Sequence, residues 1–561
     1  MTYLAKLYLT VGITGHRDLV EEDIPLLKKR IKDVFDDLRK EYPNTPLLLI
    51  TPLAEGADRL AAEVALEENI EYVSPLPLPI NIYKNDFPDT VSEFDHYISN
   101  AKDFFELPLG KDKIESISKY GKERDKRYQL VGAFIVRYSQ VLVALWDGKH
   151  TSLTGGTSDI IRFQSEGLPH EYATNRCELD FPDSGPVYHI LTRRRKNIDI
   201  SVPYNAKVNI IMATEGKKKE GGVFRIIDRT AERLFHNDHF KKGDTAFRPI
   251  DNFNFEAEKL TIKDADKSLK YLTSLKDFEK EKDIAYLYAN ADALSLKHQK
   301  KWLFSQKLLF VITGLIVTDF IIYSFINIRY LLVFYITLYI LAAFIIARYH
   351  KNRESYINYR SLAEGLRVVF FLRFAGLHED AADNYLSKQA EELQWVREAM
   401  RSANVIKPKI KPDFEMVQKD WINGQIKYYT GAKARDQKKL TTIRTITIIL
   451  LLLGFISAVL ALIKGLTGIL PPLNLLIAMT ALMPAYAAIL ETYSVRMGFT
   501  EHIKEYSRMQ GIFERANKLL KNSKDVESRQ RIFLMLGREA LRENADWLLL
   551  HRKLPEGLPK Q

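Results

Sequence analysis

A single cysteine, Cys177, in 561 residues excludes an intrachain disulfide and a cysteine-built zinc cluster, and suits a reducing compartment. Glycine and proline are sparse too, at 27 and 21, which excludes a collagen-like or largely disordered chain. No long apolar run follows Lys6, so no secretory signal peptide is expected. The C-terminal half lacks a P-loop Gly-Lys-Ser/Thr, a nucleophile elbow and a His-x-x-x-His pair, so neither a metal site nor enzymatic chemistry is expected there.

What is present is a long chain of ordinary composition, 46% hydrophobic and 27% charged, which predicts three or four domains. Mean hydropathy is −0.19, an average that accommodates a soluble half joined to an apolar half. Lysine and arginine total 82 against 71 acidic residues, a net charge of +11 that points to nucleic acid or anionic lipid until the charge is located.

From Leu7 to Leu191 short apolar runs alternate with amphipathic stretches, the rhythm of a parallel sheet covered by helices. Strands are expected at Leu7–Ile13, Leu47–Ile50, Tyr72–Leu76, Val141–Leu145 and Val187–Leu191. Helices are expected at Ile24–Lys40, Asp58–Glu68, Arg124–Ser139 and Asp159–Glu166. The class is a Rossmann-like, doubly wound α/β domain over 1–195. From Arg193 to Asp277, with Lys217–Lys219 before Gly221 and Gly222, the pattern weakens and a connector at 196–277 is expected.

Beyond Tyr288 the character changes. Leu308–Ile328 carries one charge, Asp319, and Tyr330–Ala347, Thr445–Ile463 and Gly465–Leu490 carry none. Runs of 18 or more residues with so little charge predict four transmembrane helices, near 308–328, 330–347, 445–463 and 469–490. They pair as two hairpins, one turning at Ile326–Arg329 and the other around Pro471 and Pro472. Lys297, Lys300, Lys301 and Lys307 precede the first span, Arg348, Lys351 and Arg353 follow the second, and Lys433, Arg435, Lys438, Lys439 and Arg444 precede the third. Only Arg329 and Lys464 lie in the outer turns, so the positive-inside rule keeps both hairpin ends and both termini cytoplasmic. Residues 293–353 carry +7 and 431–496 carry +5, leaving −1 for the rest. The basic excess is a membrane-topology signal, and no nucleic-acid partner is expected.

The hairpins read as diverged copies, each followed by a long cytoplasmic helix and a Trp-bearing helix. Tyr359-Arg360 and Trp395 stand in the first unit, 278–402; Tyr506 and Trp547 stand in the second, 410–557. Chance likeness between amphipathic helices is the competing explanation.

Three turns carry candidate binding chemistry. The first strand ends in Gly12-Ile-Thr14-Gly15-His16-Arg17, where glycines admit a phosphate or ribose and Thr14, His16 and Arg17 offer donors. The second ends in Pro52-Leu-Ala-Glu55-Gly56-Ala-Asp58-Arg59, where Glu55 either accepts from a ribose hydroxyl or caps the helix. Further on come Trp146-Asp147-Gly148 and Gly155-Gly156-Thr157-Ser158-Asp159, a glycine-rich helix start suited to phosphate. Trp146 is either a base-stacking ring or a partly buried strand end. In open α/β sheets ligands bind at the C-terminal strand edge, so the agreement of the turns outweighs any one of them. Asp319, in mid-span, is a pore or coupling candidate, or else is bonded to Thr318 or Tyr323.

These motifs, with the helix bearing Arg124 and Tyr128, resemble the SLOG domain, a Rossmann-like nucleotide-binding fold that includes the LOG phosphoribohydrolases. The C-terminal half resembles two SLATT domains, two-span effector modules found beside such sensors in bacterial defence operons. The resemblance implies a nucleotide-derived ligand of cyclic-nucleotide or ADP-ribose type and no other cofactor. Its pocket would be lined by Gly12, Thr14, Gly15, His16, Arg17, Glu55, Gly56, Arg124, Tyr128, Trp146, Asp147, Gly155, Gly156 and Thr157. It implies a homo-oligomeric effector in the bacterial inner membrane that opens a pore or disrupts the bilayer in anti-phage abortive infection. The catalytic LOG loop ends in a glutamate where Ile160 stands here, which favours binding over hydrolysis. A membrane-tethered nucleotide or nucleoside hydrolase, with Asp159 or Glu55 as the carboxylate, is the alternative.

Overall fold

The computed structural model describes residues 5–110, 112–150, 155–173, 184–196, 204–212, 225–228, 240–274, 281–377, 380–384, 390–406, 411–467 and 472–553. Cys177, the basic stretch 217–219 with its two glycines, and Pro471 lie outside them. The chain divides into an α/β unit, Met1–Lys259 with Asp380–Lys409, and a helical unit, Leu260–Glu379 with Ile410–Gln561.

The α/β unit is built on an eight-stranded sheet: β1 Leu9–Gly15, β2 Leu47–Ile50, β3 Glu71–Leu76, β4 Asp103–Glu106, β5 Val141–Trp146, β6 Val187–Leu191, β7 Val208–Met212 and β8 Arg225–Asp228. Its order is β4-β3-β2-β1-β5-β6-β7-β8, parallel through β6 and antiparallel at β7 and β8. Alternate residues of one strand enter opposite cores. Val141, Val143 and Leu145 join the layer of α1 (Ile24–Glu41) and α2 (Ala57–Glu67), while Leu142, Ala144 and Trp146 join the other. Burial on both faces explains why the central strands read as unbroken apolar runs. The second layer holds α3 (Lys122–Tyr138) and α4 (Thr157–Glu166), with Val131, Ile135, Ile160 and Phe163 buried. Gly12 lets α3 lie close to β1, since a Cβ there would meet Ser139 Oγ at 2.3 Å and Ile135 at 2.7 Å.

The stretch expected to be a connector therefore contributes β7, β8 and α5 (Phe240–Ala257) to this unit. Asn254 of α5 bonds both the amide and the carbonyl of Leu7 at 3.0 Å, and Asp251 accepts from Asn44 and Thr45.

The helical unit contains α6 (Ile262–Leu272), α7 (Lys282–Ile326), α8 (Arg329–Phe374), α10 (Gly424–Thr467), α11 (Leu473–Arg496), α12 (Phe499–Asn522) and α13 (Val526–Lys553). The label α9 belongs to Ala390–Ala403, which packs in the α/β unit. That helix, with Trp395, was expected to complete the first helical unit at 402. Instead it lies with α5 and α3, Asp383 pairs with Arg137 and Arg401, and Val405 enters the sheet core.

Four helices are long and apolar enough to cross a membrane, and at most 22% of each apolar window is buried within the chain. Asn327 ends α7 in the left-handed conformation before α8 begins, and α7 and α8 pack along each other, as do α10 and α11. Gly314 of α7 admits the ring of Tyr486 from α11, whose hydroxyl lies 2.8 Å from Thr318 Oγ1. Outside the apolar windows the helices pack conventionally: Trp421, in a π-helical turn at Val417–Asn423, stacks on Phe371 with centroids 5.3 Å apart.

Candidate functional site

Strand β1 has β2 on one side and β5 on the other, so the chain winds outward in both directions from β1. A topological switch point is where an open parallel sheet leaves a crevice beyond its C-terminal edge. The turns after β1, β2 and β5 all emerge at this edge.

The first two turns interlock. Ala57 N donates to His16 O at 3.1 Å, and a Cβ on Gly15 would lie 2.4 Å from that of Ala57. At Gly56, φ is +80° and a Cβ would fall 2.5 Å from the carbonyl oxygens of both His16 and Arg17, so only glycine fits. Leu53, fully buried three residues after the end of β2, has φ of 58°, a strained backbone of the kind held at ligand sites.

The third turn meets the first through His16. Its Nε2 lies 3.1 Å from the Asp147 amide and 3.2 Å from Asp147 Oδ1, while its own amide donates to Leu145 O. Burial, reinforced by Arg194, holds the imidazole below its ordinary pKa despite Asp147. A neutral ring accepts from the Asp147 amide at Nε2 and carries its proton at Nδ1. Arg17 is exposed, with its guanidinium 5.3 Å from the Tyr128 ring centroid. Glu55 is half-buried and accepts from Thr90 Oγ1 at 2.5 Å, while Gly56 caps α2 without a side-chain bond, so Glu55 does not serve as the cap.

The glycine-rich loop closes the other side. Gly155, at φ +75°, lies against α3, where a Cβ would meet Gln129 N at 2.9 Å. Asp159 Oδ2 accepts from Gly155 N at 3.2 Å, and its Oδ1 from Arg162 at 2.9 Å. Gly156 brings α4 no capping side chain, which leaves the amides of Thr157 and Ser158 open to an anion, while that of Asp159 already donates to Gly156 O at 2.9 Å. Residues 151–154 of the polar loop lie outside the described residues. Ile160 is buried against Gly132 of α3, so this position faces the core between α4, α3 and the sheet.

Thr14, Gly15, His16, Arg17, Glu55, Gly56, Tyr128, Asp147 and the Gly155–Thr157 loop thus gather at one edge. Three expected ligands are placed otherwise. Gly12 is a packing residue inside β1. Arg124 is 2% exposed and bonds Asp86 Oδ1 at 2.6 Å and Ile117 O at 2.7 Å, and Asp86 also accepts from the Tyr128 hydroxyl. Trp146 is 5% exposed, its ring set against His150 and His189 and its Nε1 donating to Lys149 O, so it is a buried strand end.

Two parts of the edge escaped the sequence reading. Asp58 is buried, accepts from Ala54 N at 3.3 Å, and burial pushes its carboxyl up to about 7 against the pull of Arg17. The run Arg193–Arg195, where the sequence pattern weakens, clasps the turn after β1: Arg193 grips Asp23 with two bonds, Arg194 bonds Asp18 and Arg195 bonds Leu19 O. Its signal was positional, since a basic run directly after β6 must emerge at the C-terminal edge.

In the helical unit Asp319 is 5% exposed, and its Oδ2 has no hydrogen-bond partner among the described residues. Thr318 bonds Gly314 O and Tyr486 instead. No group of three or more metal-ligating side chains occurs among the described residues. No protein family, curated protein or solved structure matches this chain.

Proposed function

We propose that the chain is a sensor of a nucleotide-derived signal coupled to a membrane effector, of the SLOG and tandem SLATT kind, acting in bacterial anti-phage defence. The observation that carries the reading is the convergence of three strand-to-helix turns at the sheet's switch point, in a chain that also has four helices with largely uncovered apolar windows. Arg17 and the α4 amides suit phosphate, His16 and Glu55 suit a ribose or base edge, and the close approach at Gly15, Gly56 and Gly155 suits a ligand lying on backbone. The four helices cross the inner membrane as two hairpins with both termini cytoplasmic, and the protein works as a homo-oligomer. Signal binding favours the arrangement in which the spans open a pore or disrupt the bilayer, which requires that arrangement to bind the signal more tightly than the resting one.

The hydrolase alternative has less behind it. Asp159 is engaged by Gly155 N and Arg162, Glu55 by Thr90, and position 160 faces the core. Titration of the full chain in detergent with ADP-ribose, NAD and cyclic dinucleotides tests the sensor: saturable binding that disappears in Arg17→Ala and leaves the nucleotide intact supports it. Release of free base from the bound nucleotide, abolished by Glu55→Gln, would replace it with the hydrolase.

A further inference from the structure

Six exposed cations stand where the apolar helices begin: Lys300, Lys301 and Lys307 on α7, and Arg435, Lys438 and Arg444 on α10. They share a level, because Trp302 and Leu303 of α7 pack in one cluster with Leu440 and Ile443 of α10 and with Met497 and Phe499. None of the six has an acidic partner among the described residues. Lys439, on the same turn of α10, is a contrast: it pairs with Asp436 at 3.0 Å. A ring of unpaired cations bordering exposed apolar side chains has its complement in anionic headgroups.

One face of α10 shows the gradation such a partner needs. A groove of about 530 Å³ runs along Gln437, Lys438, Thr441, Thr442, Thr445 and Ile446. Going down the helix, the charge comes first, then hydroxyls, then Ile446, below which Ile448, Ile449 and Leu452 are exposed. Phosphate, glycerol ester and acyl chain follow one another in that order in a phospholipid.

We infer that the chain binds anionic phospholipid selectively at this basic collar, with a headgroup against Arg435 and Lys438, one turn apart on the same face, and its acyl chain along α10. This rests on the membrane-spanning reading above and adds which lipid the spans require. Each cation near the surface contributes about a fivefold preference for anionic lipid, weakened by salt.

The test reconstitutes the full chain into vesicles of phosphatidylcholine alone and of an equimolar phosphatidylcholine and phosphatidylglycerol mixture. The lipid retained by the protein after mild detergent extraction is then quantified by mass spectrometry. Wild type is expected to retain phosphatidylglycerol at least about fivefold over its input ratio. The double variant Arg435→Gln, Lys438→Gln falls to near the input ratio, and Lys439→Gln keeps the enrichment. Retention at the input ratio by wild type, or enrichment unchanged in the double variant, overturns the lipid site alone. Loss of the protein from both kinds of vesicle on alkaline washing overturns the membrane reading and this site with it.

Discussion

The α/β unit and the helical unit treat their cations in opposite ways. In the first, arginines are turned inward and spent: Arg124 on Asp86, Arg127 on the carbonyls of Pro77, Leu107 and Pro108, and Arg59 on Leu53 O, Thr90 and Glu93. In the second, buried arginines such as Arg373, paired with Glu281, lie away from the apolar windows, and Lys300, Lys301, Lys307, Arg435, Lys438 and Arg444, which border those windows, are exposed with no acidic partner among the described residues. A sheet domain in water buries apolar faces and ties down whatever polar groups come with them. A bundle whose middle is apolar outward fits the membrane-spanning role proposed above, with charge reserved for its boundary.

The largest way to break this contrast is to remove one partner of an inward pair. Asp86→Ala strands Arg124 in the interior and is expected to cost about 3–5 kcal/mol, read as a lowered denaturation midpoint for the α/β unit. Next is a charge on the outward face of the bundle. Phe320, 56% exposed near the middle of the apolar run of α7, looks like a tolerant surface position, yet Phe320→Arg is expected to oppose membrane insertion by about 3 kcal/mol, read as loss of protein from the membrane fraction. A variant that inserts as well as wild type would make the helical unit an ordinary soluble bundle.

Smaller effects come from single titrating groups, one in each unit. Asp58 holds its proton up to about 7 in the fold but only to its ordinary value of 3.8 when unfolded, so its contribution is full below 3.8 and is lost as pH rises towards 7. Asp58→Asn should flatten that slope in denaturation measured at several pH values. His551 of α13 has the opposite sign. Burial and the neighbouring His502 hold it down to about 3 against 6.5, so its contribution is present above 6.5 and is lost as pH falls. His551→Gln should flatten stability on the acid side only. The smallest expected effect is at the surface of the α/β unit, where Arg162→Gln breaks an exposed pair with Asp159 and should change stability by less than about 0.5 kcal/mol.

Much of the α/β fold was legible because central parallel strands advertise themselves: Leu47–Ile50 and Val187–Leu191 stand where the apolar runs end. Strand β4 was not legible, because Asp103-Phe-Phe-Glu106 is a half-exposed edge with charged ends. Strands β7 and β8 extend the sheet in antiparallel sense from a stretch with no repeating pattern to mark them. The convergence of Gly15, His16 and Gly56 was readable from motif and order, since strand ends share one edge. Burial was not: nothing in the sequence says that Arg124 and Trp146 turn inward while Arg17 stays out. The Trp-bearing helices show the same limit. Trp547 stays in the helical unit beside Tyr356 and Arg360, whereas Trp395 rides on α9 into the α/β unit, and that difference depends on tertiary packing rather than local pattern.

That excursion, 380–409, gives the α/β unit a second segment, tied to the end of α3 through Arg137 and Asp383. The same helix carries Tyr128, whose ring lies beside Arg17.

Dye release from liposomes holding the full chain, on addition of small-molecule extract from phage-infected or uninfected bacteria, tests the coupling of the two units directly. The account predicts release with the infected extract only, abolished when the extract is treated with phosphodiesterase and absent in Arg17→Ala. Release that survives both the phosphodiesterase and the Arg17→Ala substitution would contradict it.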